Sequence, residues 1–382
     1  MKILQINASY KPAYIYGGPT MSVSKLSEEL IKAGVGVDVF TTTANGLAEL
    51  PVAIGEPVNV DGVSVIYFPR ITKDHSHFSP KLLSHLWKHV QEYDAVHIHA
   101  WWNLVSMPSA FIAQIRNVPV LISPRGTLSS YSFNISKSPL KKIFHALAGK
   151  SILKRAGIHA TSVAEKYDLK KLIDPTGLFE IPNFVKFAEI KSSTQTIGNG
   201  KFRLLFLSRI DEKKGLEHLL NALPLLTIPY QLTIAGNGEG DYMNGLKTMI
   251  LNNNTHEHID WIGFQGENKF DVLNNHDLMI LPSYNENFGN VVIESLSVGT
   301  AVLISDGVGL ADYVTQNNLG WLCETNAKSI ADRLNNIYKN KKDELLRIKA
   351  AAPGKIAADF DEAILVHQYI NMYNQITQQT IE

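Results

Sequence analysis

The chain has 382 residues, 45% of them hydrophobic and 19% charged, which is the balance of an ordinary globular protein and more than one hydrophobic core usually spans, so two domains are expected. Lys plus Arg equals Asp plus Glu at 36 each, which gives no support for a nucleic-acid partner, and the single Cys323 excludes an intrachain disulfide framework and fits a reducing cytoplasm. The opening MKILQINASY carries too short an apolar run for a signal peptide, and the absence of any stretch of about 18 apolar residues speaks against a transmembrane helix.

In chain order, short apolar runs alternate with helical periodicity. Residues 2–6 read as a strand, 20–33 as a helix stopped by Gly34, and 35–41 and 63–68 as further strands. A helix over 79–92, a strand over 95–99, a helix over 106–116 and a strand over 119–123 follow. Residues 140–155 form a basic amphipathic segment that fits either a membrane surface or a solvated face over a core helix. The polar stretch 188–200 reads as a linker. The alternation then restarts with strands at 203–207, 231–235, 259–261, 278–281 and 301–305 and helices at 215–226, 241–252, 267–275 and 290–298, with a last helical segment at 360–377. This pattern predicts an α/β protein of two Rossmann-like, doubly wound parallel-sheet domains. The expected boundaries are 1–190 and 200–360, with 361–382 as a helix packing back toward the first domain.

Ligands of such sheets bind beyond the strands' carboxyl ends, so the loops there carry the candidate chemistry. Glu286 sits on the loop after strand 278–281 and Glu294 about one turn into the next helix, with Gly289 between them and free helix-start N–H groups suited to phosphate or hydroxyls. Arg209 and Lys214 flank a strand–helix turn and are spaced to neutralise a diphosphate, with Lys213 as a competitor. Gly236 and Gly238 follow strand 231–235 at alternate positions, not in a GxGxxG fingerprint; they suit a close backbone approach to a nucleotide or a plain flexible turn. Gly17 and Gly18 in YGGP, after the first strand, suit a close backbone approach to a donor phosphate or an acceptor, or a plain turn. His97 and His99 share one side of a strand, with His99 at its carboxyl edge, Trp101 and Trp102 as sugar-stacking or core residues, and Arg125 after the next strand. No third ligand makes a metal site of the histidines. The lone DxD, Asp359–Asp361, reads as helix capping.

Together these strings resemble one family. ENFGNVVIE (286–294) looks like the E-x7-E motif of GT-B retaining glycosyltransferases of the family 4 type, and SRIDEKKGL (208–216) looks like their Arg/Lys diphosphate motif. AGNGEG (235–240) and WIGF (261–264, with Gly263) resemble nucleotide-contact loops, and YGGP, HIHAWW and SPRG match the N-terminal pattern. The resemblance implies two domains facing a central cleft, the second binding the donor and the first the acceptor. It implies that Glu294 holds the ribose, that Arg209 and Lys214 hold the diphosphate, and that Glu286 with the backbone of Asn287, Phe288, Gly289 and Asn290 holds the sugar. It further implies a UDP- or GDP-sugar donor, no cofactor and no metal, and retention of anomeric configuration through front-face attack.

Members of this type often build O-antigen, capsule or exopolysaccharide on saccharide or lipid-linked saccharide acceptors at the cytoplasmic face of the inner membrane, with peripheral membrane contact. Where many members carry a histidine, this chain has Pro124–Arg125, leaving His99 and Arg125 as the catalytic candidates on that side. A non-catalytic nucleotide-sugar sensor or scaffold is the alternative. A dehydrogenase is excluded by YGGP in the first βα turn.

Overall fold

The computed structural model describes residues 1–129, 149–175, 177–187, 200–238, 240–266 and 268–379. Its contacts divide the chain into two compact units, Met1–Phe184 with Glu362–Glu382, and Val185–Asp361. Most of the basic segment at 140–155 lies outside the described residues.

The first unit is built on β1 (Lys2–Ile6), β2 (Gly36–Thr42), a two-stranded hairpin of β3 (Ala44–Asn45) and β4 (Ala48–Glu49), β5 (Pro57–Val60), β6 (Val63–Phe68), β7 (Ala95–His99), β8 (Val120–Ser123), β9 (Gly157–Ala160) and β10 (Gly177–Glu180). Its main sheet runs in the order β10-β9-β8-β7-β1-β2-β6-β5, parallel except at the β5 edge. β1 is central, pairing Ile3 with Val37 on one side and Ala95 on the other. Both faces of such a strand are covered, which is why KILQI reads as a nearly unbroken apolar run. β9, β10 and the Val163–Leu172 helix were not expected from the sequence, since GIHA and GLFE are too short to announce themselves.

The C-terminal helix, Glu362–Gln379, belongs to this unit. Leu365, Tyr369, Met372, Tyr373 and Ile376 fall at helical spacing and pack with Ile3, Leu26, Leu30 and Leu121. Gly157 permits the approach, since a Cβ there would stand 2.7 Å from the Ile376 side chain. Lys25 ties the helix start to the Gly18–Lys32 helix through Glu362 at 2.8 Å.

The second unit holds β11 (Phe202–Leu207), β12 (Tyr230–Ala235), β13 (Ile259–Trp261), β14 (Leu278–Leu281), β15 (Ala301–Ser305) and β16 (Gly320–Cys323). The order β13-β12-β11-β14-β15-β16 is parallel throughout and is the Rossmann order 3-2-1-4-5-6. The strand order reverses between β11 and β14, so the loops that leave those two strands frame the ligand crevice of this unit. The helix expected over 215–226 is shorter, Leu216–Ala222, and a 3-10 turn carrying Pro224 ends it. The DxD reading also changes. Asp361 immediately precedes the Glu362–Gln379 helix, where a cap would sit, whereas Asp359 is the last residue of the Lys342–Asp359 helix and accepts from Tyr313 Oη at 2.7 Å and Lys355 Nζ, so it fastens that helix end to the Ala311–Gln316 helix.

Candidate active site

The second unit supplies a charged crevice at the β11/β14 reversal. After β11 the chain forms a 3-10 turn, Glu212–Lys214, capped by Asp211 Oδ1 accepting from the Lys213 amide at 2.9 Å. Gly215 leaves that turn with φ +66 and starts the Leu216–Ala222 helix. A Cβ on Gly215 would stand 2.2 Å from the Pro282 carbonyl oxygen, so the β11 loop lies flush against the β14 loop. The Tyr284 amide donates to the Lys213 carbonyl at 2.9 Å across the same seam.

This seam places the predicted charges together. Lys214 Nζ makes an ion pair with the Glu286 carboxylate, although 72 residues separate them in sequence. Glu286 is itself clamped by its backbone, its amide donating to Gly307 O at 2.8 Å and its carbonyl accepting from Gly309 at 2.7 Å. Arg209 is exposed and makes no hydrogen bond or ion pair among the described residues. Lys213 is held below its ordinary range by burial, which the nearby Glu286 partly offsets.

Gly289, at φ +90, is the residue before the Asn290–Ser297 helix, whose N-terminus has no side-chain cap. Glu294 lies in that helix with 9% exposure and is paired at 2.7 Å with Lys269, a partner no spacing rule could have shown. Asn287 and Asn290 are half-buried at the helix start, whereas the Phe288 ring is in the core, 6.2 Å from Phe360, so only its backbone is available to a ligand. Ser283 Oγ and Asn285 Oδ1 are buried on the same loop without a hydrogen-bond partner among the described residues. A buried polar atom left unmatched is costly, which suits a cradle completed by a ligand.

The glycines expected to admit a nucleotide have a nearer reason. A Cβ on Gly236 would stand 1.9 Å from Ser208 O, and one on Gly238 2.6 Å from Ile210 O. Glycine there lets the β12 loop press on the β11 loop, with Ile210 N donating to Asn237 O at 2.9 Å. Gly263 has φ +68 and accepts from Gly236 N at 2.8 Å, extending the same packing to β13.

In the first unit, Gly17 precedes the Gly18–Lys32 helix with φ +66 and Gly18 is its first residue. His99, expected to line the carboxyl edge, is fully buried between β1 and β8. Its Nε2 is 2.7 Å from Gln5 Oε1 and its Nδ1 accepts from Arg125 Nε at 3.2 Å. Burial, with His97 and Arg125 nearby, holds its pKa well below the usual range. Both ring nitrogens have side-chain partners, which makes His99 a buried support for Arg125. Arg125, at φ +52, also donates through Nη1 to Ser22 Oγ at 2.9 Å and Asn183 Oδ1 at 2.8 Å. Trp101 is core at 0% exposure, and Trp102 is half-buried. His97 bonds Tyr373 and Ser123, and among the described residues no group of three or more His, Cys, Asp or Glu is placed to hold a metal.

Comparison with known proteins follows the same division. Residues 16–189 match the family model of Glycosyltransferase Family 4, and residues 188–354 match that of Glycosyl transferases group 1. The chain is 25% identical over 356 residues, 87% of each chain, to an uncharacterized glycosyltransferase of Methanocaldococcus jannaschii. It is 26% identical over 279 residues, 65% of this chain and 71% of the other, to a phosphatidyl-myo-inositol mannosyltransferase of Mycobacterium tuberculosis. Among solved structures it resembles HepE of Anabaena in complex with UDP and glucose, with TM-score 0.76 and 18% identity over 98% of this chain and 100% of that one. It also resembles WaaG, a glycosyltransferase involved in lipopolysaccharide biosynthesis, with TM-score 0.67 and 16% identity over 98% and 99%. With family models matched across both Rossmann-like units, the chain belongs to the glycosyltransferases of the family 4 type with the GT-B fold.

Proposed function

We propose that the protein transfers a sugar, with retention of anomeric configuration and without a metal, from a UDP- or GDP-sugar to a saccharide or lipid-linked saccharide in cell-surface polysaccharide assembly. The observation that carries this reading is the meeting of Lys214 and Glu286 at the β11/β14 reversal, on the loops that also carry the exposed Arg209 and lead into the Asn290–Ser297 helix. The cations Lys214 and Arg209 suit a diphosphate, and in transfer they stabilise the negative charge that gathers on it as its bond to the anomeric carbon breaks. That supplies the charge compensation a divalent ion would otherwise give. Glu286 holds Lys214 until the donor enters; sugar hydroxyls then take the carboxylate and the diphosphate takes the ammonium. Glu294 is placed to accept hydrogen bonds from a ribose. The acceptor oxygen bonds to the anomeric carbon and its proton passes to the departing phosphate oxygen. Arg125, fixed at the carboxyl edge of the first sheet, is assigned to the acceptor. A phosphatidylinositol mannosyltransferase and a lipopolysaccharide enzyme among the similar proteins support an amphiphilic acceptor at the membrane face.

A thermal-shift panel of UDP- and GDP-sugars tests the donor, because a ligand at a hundred times its Kd stabilises the fold by about 2.7 kcal/mol. The donor that stabilises most is then used for turnover in EDTA, and the product anomer is read by NMR. Stabilisation by none of the panel sinks the donor assignment. An inverted product sinks the retention assignment, and activity lost in EDTA but restored by Mn²⁺ sinks metal independence. Binding without release of nucleoside diphosphate, across a broad acceptor screen, would instead favour a sensor.

A further inference from the structure

The buried polar residues of the first unit form one continuous hydrogen-bonded chain whose two ends are chemically fixed. At one end stands Arg125, whose guanidinium only donates; at the other stands the Ile181 carbonyl, which only accepts. Starting from the carbonyl, His159 Nε2 at 2.8 Å must carry a proton, so His159 Nδ1 accepts from Ser123 Oγ at 2.6 Å. Ser123 has then spent its proton and must accept from His97 Nε2 at 2.6 Å, which leaves His97 Nδ1 to accept from Tyr373 Oη at 2.8 Å. Tyr373 in turn accepts from Gln5 Nε2 at 3.0 Å. Starting from the other end, Arg125 Nε donates to His99 Nδ1 at 3.2 Å, so His99 Nε2 carries its proton and donates to Gln5 Oε1 at 2.7 Å. The two derivations meet at Gln5 with the same amide orientation. Burial keeps each of these imidazoles neutral, and with one proton apiece each has a single permitted tautomer. His97, His99, His159, Gln5 and Ser123 are all at 0% exposure, so water offers no alternative partner.

We propose that Tyr373, on the C-terminal helix, is a positioning residue for Arg125. Its hydroxyl accepts from the Gln5 amide and thereby turns Gln5 Oε1 toward His99; that orientation keeps the proton on His99 Nε2 and leaves Nδ1 bare to receive Arg125 Nε–H. Ser22 and Asn183 take both Nη1 hydrogens, and the two Nη2 hydrogens have no partner among the described residues. The chain thus fixes which edge of the guanidinium is presented. If the Tyr373 hydroxyl is removed, Gln5 is free to turn its amide nitrogen toward His99. The imidazole then moves its proton to Nδ1, where it opposes the Arg125 Nε–H, and the guanidinium is displaced. Tyr369 lies one turn earlier on the same helix, but its hydroxyl makes only long contacts, 3.4 Å to His159 and 3.5 Å to Pro182 O. It is therefore the matched control.

The consequence for transfer rests on the assignment of Arg125 to the acceptor, and the experiment separates the two. In the full chain labelled with ¹⁵N-histidine and ¹⁵N-arginine, long-range correlation spectra report each ring's tautomer, and solvent exchange reports the Arg125 Nε–H. Wild type and Tyr369→Phe should show His99 protonated at Nε2. Tyr373→Phe should show Nδ1 protonation or a mixture, with Arg125 Nε–H exchange faster by about tenfold. Gln5→Met breaks the same link from the other side and carries the same expectation should Tyr373→Phe fold poorly. A merely structural tyrosine would lower the melting temperature and leave the tautomer alone. Turnover with the donor chosen from the panel should fall about tenfold in Tyr373→Phe at unchanged donor KM. An unchanged His99 tautomer in both Tyr373→Phe and Gln5→Met overturns the proposal. A shifted tautomer, with Arg125→Ala as active as wild type, would keep the hydrogen-bonded chain and remove Arg125 from the acceptor site.

Discussion

Gly215→Ala tests whether the seam between the β11 and β14 loops assembles the donor crevice. Two costs follow from the structure. An alanine at φ +66 occupies the left-handed region, at about 1–2 kcal/mol. Its Cβ would also lie 2.2 Å from Pro282 O, far inside any observed contact, so the loops must part. Parting them strains the 2.9 Å hydrogen bond from Tyr284 N to Lys213 O, worth about 0.5–1.5 kcal/mol. Together these give about 1.5–3.5 kcal/mol, or roughly 3–14 °C in Tm for a unit of this size. Gly240→Ala is the control: φ is +74, but no atom of the described residues lies within 4 Å of its Cβ, so it carries only the backbone cost. Thermal melts of both variants, with and without donor, give the measurement. Gly215→Ala should melt lower than Gly240→Ala and lose most of the donor-induced shift, because Lys214 and Glu286 sit on opposite sides of the opened seam. Equal melting of the two variants would refute the close-approach argument, and an intact donor shift would refute the link from seam to site.

Arg209→Ala should leave Tm within about 1 °C of wild type, since the side chain is exposed, while turnover falls by about 10²–10³ through loss of charge stabilisation on the leaving group. Unchanged turnover would remove Arg209 from the site. Stability should fall on acidification. Burial holds His159 down to about 3 and His77 down to about 4, against 6.5 when unfolded, and holds His97 and His99 well below 6.5. The unfolded chain therefore binds more protons below pH 6.5. The contribution is full above that pH and is lost at about 1.4 kcal/mol per histidine per pH unit as pH falls toward 4 and 3. Denaturant midpoints between pH 7 and 5 measure the slope, and a flat profile contradicts the buried, neutral assignment. Cys323, at 4% exposure with its thiol pushed up to about 12 by burial, should resist a disulfide reagent in the native protein and react at once when unfolded.

Sequence alone was enough for the doubly wound architecture, because apolar strand runs and helical periodicity are local signals, and the carboxyl-end position of Arg209, Lys214, Glu286 and Glu294 follows from strand–loop–helix order. Short strands such as GIHA and GLFE escaped because four residues carry too little periodicity. Only the tertiary structure paired Lys214 with Glu286 and Glu294 with Lys269, since those contacts join segments 72 and 25 residues apart. It also changed the meaning of residue types. Gly236 and Gly238 serve loop against loop, Phe288 and Trp101 serve the core, and His99 is a buried support for Arg125. A sequence shows that a glycine or a histidine is present at a strand's end. Which neighbour meets its missing Cβ, and which partner claims each ring nitrogen, depends on strands and helices brought in from elsewhere, here from as far away as Tyr373.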